Sequence, residues 1–164
     1  MLAGSGVEEA RVEFRYVEWI DGAWLASDAR GCLAAMVTAG PGPIAAWTLG
    51  DGYDDFDIEE RLLALPINGQ AQSVAPELDY PSFFALAERG LFVYDWQDAH
   101  RIRVEHRKVY EAVAIPSVPL TLADLPEDLR RIAERAFFDL EFRQARDVPM
   151  MKLVDRGGAS AERQ

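Results

Sequence analysis

The sequence predicts an α+β fold: an antiparallel sheet of five or six strands with about three helices packed on one face. Two patterns lead there. The opening third is a succession of short strand-like runs separated by turn signals, and three later segments space their apolar residues for one face of a helix. Length and composition agree. At 164 residues, with 49% hydrophobic and 27% charged side chains, the chain is long enough to bury a core and has ordinary globular composition. One domain covering residues 1–164 is expected, with the ends (about 1–8 and 156–164) frayed, because neither carries apolar periodicity.

Taking the elements in order, Val12, Phe14 and Tyr16 alternate with Glu13 and Arg15, as a half-buried strand over Val12 to Ile20 requires. Asp21-Gly22 is a turn signal, and Ala23 to Ala26 is a short second strand. Asp28 to Gly31 is a second turn, with Gly31 suited to positive φ, and Cys32 to Thr38 is a third strand. The three make an antiparallel meander. Two prolines and two glycines between Ala39 and Pro43 cannot continue a ladder, so this stretch is a structural loop.

Ile58, Leu62 and Leu65 mark a helix over Asp57 to Leu65, stopped by Pro66. Asn68 to Glu77 is polar and reads as a loop. Asp79 can cap the next helix, Pro81 stands in its first turn, Phe83, Phe84, Leu86 and Ala87 form its inner face, and Gly90 ends it. Leu91 to Trp96 and Val109 to Ile115 are strands of a hairpin with a basic connection. Asp124 to Glu127 has the spacing of a capping box. Leu125, Leu129, Ile132, Ala133, Ala136 and Phe137 continue it as a helical face, and Leu140 to Arg146 reads as a last short strand.

Several chemistries lack their residues. A single cysteine, Cys32, excludes a disulfide framework and a multi-thiolate metal site; in its apolar run it reads as a buried core residue. There is no basic-then-apolar leader and no apolar run long enough to span a membrane, so a cytoplasmic protein is expected. Gly40 and Gly42 match only the first spacing of a phosphate-binding glycine motif, and no serine sits in G-x-S-x-G. His100 and His106 lie among Arg101, Arg103, Arg107 and Lys108, which discourage a divalent ion, and HExxH is absent. No cofactor, no metal and no catalytic residue is expected.

Charge is the informative feature. The net charge is -11, and residues 1–80 hold only four basic side chains against fourteen acidic ones. Such a field repels phosphate backbones and attracts a basic protein, so nucleic acid is excluded as a partner and a positively charged protein is favoured. The densest acids are Asp51, Asp54, Asp55, Asp57, Glu59 and Glu60, interleaved with Tyr53 and Phe56 and preceded by Trp47. Three readings are weighed for them: a solvated helix start whose carboxylates suit the dipole, a contact surface with aromatic anchors, or a calcium loop. The last fails the D-x-[DN]-x-[DN]-G pattern. Trp24, Trp47 and Trp96 offer a further alternative, an aromatic-lined pocket for a small ligand or an uncharacterised enzyme, against ordinary core packing.

The chain also resembles a group of bacterial proteins. The resemblance rests on the Trp-rich opening strand, the D-x-x-G hairpin of Asp28 to Gly31, the T-A-G-x-G-P-I segment of Thr38 to Ile44, the stretch Arg89 to Trp96, and the Pro-flanked Pro116 to Leu125. The group is that of immunity proteins encoded beside polymorphic or contact-delivered toxins. The resemblance implies a toxin inhibitor acting by protein–protein interaction, with a cognate toxin of basic surface, such as a nuclease or nucleotide-using effector. It carries over no catalytic residue.

Overall fold

A computed structural model of the chain describes residues 16–17, 22–39, 42–45, 55–74, 81–96 and 109–156. In chain order the elements are β1 (Tyr16–Val17), β2 (Ala23–Ser27), β3 (Leu33–Val37), β4 (Ile44–Ala45), α1 (Asp55–Leu63), β5 (Ala71–Ser73), α2 (Pro81–Glu88), β6 (Phe92–Trp96) and β7 (Tyr110–Pro116). A 3₁₀ turn (Leu122–Asp124), α3 (Glu127–Arg135), β8 (Ala136–Phe138), β9 (Asp147–Val148), a second 3₁₀ turn (Met150–Lys152) and β10 (Leu153–Asp155) complete them. The class is α+β. One eight-stranded sheet runs β10-β8-β2-β3-β6-β7-β5, with β9 also on β7, and β1 pairs with β4 as a separate two-stranded ribbon.

The sheet is mixed and larger than the five or six antiparallel strands expected. β2–β3 and β6–β7 are antiparallel, but β3 lies parallel to β6 (Ala34↔Phe92 to Val37↔Asp95) and β2 parallel to β8 at Ser27↔Phe137. The cause is the route of the chain. After β3 it leaves through α1 and α2, which lie over the sheet, and returns beside β3 as a crossover connection does. The opening meander therefore reduces to the β2–β3 hairpin. Tyr16 and Val17 pair with Ala45 and Ile44 instead, and the rest of the expected first strand lies outside the described residues.

Both faces of the central strands are buried, which is why β2 and β3 read as continuous apolar runs. One face packs Leu25, Leu33, Ala35, Val93 and Val113 beneath Ile58 and Leu62 of α1, Phe83 and Leu86 of α2, and Leu129 and Ala133 of α3. The three helices share this face, as expected. The opposite face is aromatic: Trp24, Phe92, Tyr94, Trp96, Tyr110 and Phe138 lie beneath Ile44, Phe142 and Val148. Among the described residues, loops rather than helices cover it.

Four local expectations need correction. The polar stretch from Asn68 contains β5, which pairs through its backbone with β7 (Ala71↔Pro116 to Ser73↔Ala114) and so needs no apolar signature. Asp124 does not cap α3: its carboxylate accepts from the Thr121 N–H at 2.9 Å and closes the preceding 3₁₀ turn, and α3 starts behind Pro126. Helical spacing continues through Ala136 and Phe137, yet the helix stops at Arg135 and these residues form β8, paired to β10 and β2. Leu140 to Arg146 is a turn that inserts Phe142 into the aromatic face, flanked by β8 and β9.

Candidate functional site

The acidic segment meets the fold at α1. Ile58 and Leu62, four residues apart, bury the inner side of the helix against the sheet. Glu59 is half-buried and Glu60 exposed. Asp55, Phe56 and Asp57 stand in the first turn, their side chains outside the description; Trp47, Asp51, Tyr53 and Asp54 lie outside the described residues altogether. Cations gather at the other end. Arg61 pairs with Asp128 at the start of α3. The Arg89 guanidinium donates to Leu63 O (2.8 Å) at the end of α1, to Leu65 O (3.0 Å) just past it and to Ala85 O (2.7 Å) of α2, tying the end of α1 to α2. Acids at the N-terminal end and cations at the C-terminal end both suit the helix dipole. Desolvation is the largest single influence on Asp128 and opposes its ionisation, but the hydrogen bond and charge of the Arg61 guanidinium and the Leu129 N–H together outweigh it and hold this carboxyl below its usual range.

The D-x-x-G turn is a structural device. Asp28 is buried, and its carboxylate accepts from the N–H of Arg30 (2.9 Å), Cys32 (2.8 Å) and Phe142 (2.7 Å). Gly31 takes φ 80, which its lack of a side chain allows. Above the turn Arg30 pairs with Glu141 at 2.6 Å. Cys32 is buried as expected. Burial first, and the Asp28 charge second, push its thiol up, with Arg143 opposing, so a thiolate is disfavoured.

The T-A-G-x-G-P-I segment is a second such device. Tyr110 Oη accepts from Trp24 Nε1 (3.1 Å) and donates to Pro43 O (3.0 Å). A side chain at Gly42 would stand 2.7 Å from both Thr38 O and Tyr110 Oη, so only glycine lets the loop close over the tyrosine. The Trp24, Tyr110 and Trp96 rings pack edge-on, with centroids 5.9 Å and 5.0 Å apart. Trp24 and Trp96 are core residues; Trp47 lies outside the described residues. Gly42 thus serves packing; Gly40 and Pro41 lie outside the described residues.

A cavity opens on the aromatic face. The outer edge of β7 is shared by two short strands. β5 occupies it opposite residues 114–116, and the Val74 N–H donates to Val113 O; β9 takes over opposite Tyr110 and Glu111, and the Ala112 N–H donates to Arg146 O. At the handover β7 also carries an extra residue against β6: Val93 faces Ala114 and Tyr94 faces Ala112, leaving Val113 as a bulge. A cavity of about 270 Å³ opens there. Its walls are Phe92 and Tyr94 of β6, Ala112 and Ala114 of β7, Gln72 and Ser73 of β5, and Phe142 to Arg146 of the covering turn. Tyr94 Oη donates to Ala145 O (2.7 Å) with Phe142 O 3.1 Å away, which fixes the turn over the sheet. Gln72, Arg143, Gln144 and Arg146 escaped the reading of the sequence. They sit in polar stretches without periodicity, and only the non-local meeting of β5 and β9 brings them together.

His100 and His106 lie outside the described residues. Among the described residues no three His, Cys, Asp or Glu side chains gather as metal ligands, and no helix is long and apolar enough to cross a membrane. Comparison with protein-family models, curated proteins and solved structures finds no match.

Proposed function

We propose that the protein is an acidic immunity protein that neutralises a cognate toxin in the cytoplasm by covering its active site. The observation that carries this reading is the arrangement of charge around α1. Residues 1–80 have four basic side chains for fourteen acidic ones. Two of those four, Arg30 and Arg61, are spent on Glu141 and Asp128 of the later part of the chain. Arg89 comes in the other direction but docks on carbonyls at the far end of α1. Among the described residues no hydrogen bond or ion pair engages the Glu59 and Glu60 carboxylates.

A surplus of this kind steers a positively charged protein and complements its cationic cleft. A nuclease or nucleotide-using toxin has such a cleft, because it must bind phosphate. Asp54, Asp55, Asp57, Glu59 and Glu60 would occupy it as phosphate mimics, with Trp47, Tyr53 and Phe56 as aromatic anchors and Asp51 at the margin. No bond is made or broken in this mechanism; access is blocked.

The test is binding to the toxin domain encoded by the adjoining reading frame. A stable complex is expected, and the Glu59→Lys/Glu60→Lys variant should bind at least about tenfold more weakly. Unchanged affinity in that variant removes α1 from the interface.

A further inference from the structure

We propose that the cavity at the shared edge of β7 binds a small monoanionic carboxylate with a compact apolar body. This goes beyond the toxin-binding reading and uses a different part of the molecule. Three departures from regular structure coincide there: the change of edge strand from β5 to β9, the bulge at Val113, and the cavity itself. A sheet gains nothing in stability from interrupting its ladder, and places where local regularity is given up in a well-packed fold are characteristic of binding sites. Residue choice agrees. On the aromatic face β7 presents the large Tyr110 where packing is tight, then Ala112 where the cavity opens.

The lining defines the ligand. Phe92, Phe142 and Ala112 offer an apolar wall on one side. Arg143, Gln144 and Arg146 line the cavity from the covering turn, so two guanidinium-bearing residues and an amide-bearing one border it. A guanidinium matches a carboxylate in plane and charge, and an amide supplies a further donor. Tyr94 Oη is committed to the turn carbonyls and does not compete. The volume, about 270 Å³, equals about nine water volumes at roughly 30 Å³ each, which suits a molecule the size of benzoate. Charge selects further. The whole chain carries -11, so its field opposes an anion in proportion to the anion's charge and favours a monoanion over a phosphate dianion.

The experiment is an NMR titration of the isotope-labelled full chain with benzoate, benzamide and phenyl phosphate, three probes with one ring and different charge. Benzoate should give saturable shifts at millimolar concentration, centred on the amides of residues 72–74, 112–114 and 142–146. Benzamide and phenyl phosphate should bind more weakly. Arg143→Gln and Arg146→Gln replace exposed side chains, and each should weaken benzoate about tenfold while leaving the unfolding midpoint near that of the parent chain. Ala112→Leu should fill the cavity and abolish binding; if it does not fold, the two arginine variants decide. Absence of saturable shifts at those amides, equal affinity for benzoate and benzamide, tighter binding of phenyl phosphate, or arginine variants that bind like the parent chain would each overturn the proposal.

Discussion

Asp28 shows how one side chain can hold two distant turns. Its Oδ1 accepts from Arg30 and Cys32 within the hairpin, and its Oδ2 from Phe142, 114 residues away. Replacing it with alanine leaves three N–H groups without their acceptor in a buried site, at a cost of about 3 kcal/mol. Asparagine keeps one acceptor oxygen for the hairpin but brings an NH₂ against the Phe142 N–H, and should cost about 1–2 kcal/mol. Urea unfolding of the two variants checks the order; equal loss in both would contradict the bidentate role. The hairpin half of this arrangement was legible in the sequence, because D-x-x-G is local and Gly31 signals its own backbone. The Phe142 half was not, because nothing near residue 142 announces a partner so far away. Gly42 is similar. Its presence in a Gly-Pro loop predicts a break, while the reason for it, the close approach of Tyr110 Oη, belongs to the tertiary structure.

Among elements, those with their own signature were readable. β2 and β3 show as apolar runs around a turn, β6 and β7 as β-former runs, and α2 by Pro81 and Gly90. β5 and β8 were missed for opposite reasons: Ala71–Ser73 has no apolar pattern, and Ala136–Phe138 fits the helical one. Sheet order was missed as well, since the β3–β6 pairing depends on the return from α2 rather than on either strand.

β6 and β7 each place a buried tyrosine against a covering loop, and this yields a pH prediction. Burial chiefly raises the Tyr94 phenol, helped by the charges of Asp28 and Asp147. Burial likewise raises Tyr110, with the Trp24 hydrogen bond opposing and Asp95 adding to the rise. The Cys32 thiol is raised too. Each group keeps its proton in the native state at pH values where the unfolded chain is losing it. The unfolded state then binds fewer protons, so these contributions are complete below the unfolded pKa and are lost as pH rises toward the folded one. Stability should fall above about pH 8.5 through Cys32, and more steeply above about pH 10 through the tyrosines, by up to about 1.4 kcal/mol per pH unit for each group. Cys32→Ala should remove the first limb and Tyr110→Phe part of the second, read from unfolding midpoints across pH. An unaltered alkaline slope in both variants would contradict this.

Across the whole molecule, charge and packing divide the labour. Among the described residues the helices stabilise one face of the sheet and the loops the other, and α1 is held to the sheet through Ile58 and Leu62 and at its C-terminal end through Arg61 and Arg89. The charge imbalance was fully visible in the sequence. Whether the later arginines would cancel it was not, and in the described residues they do not pair with Glu59 or Glu60.

Toxin capture is tested most directly by the association rate of the chain with its cognate toxin as a function of ionic strength. Electrostatic capture predicts a rate that falls steeply with added salt, and a Glu59→Lys/Glu60→Lys variant that associates more slowly and with a shallower dependence. A parent rate indifferent to salt, or a variant with the parent's slope, would contradict capture by the acidic surface.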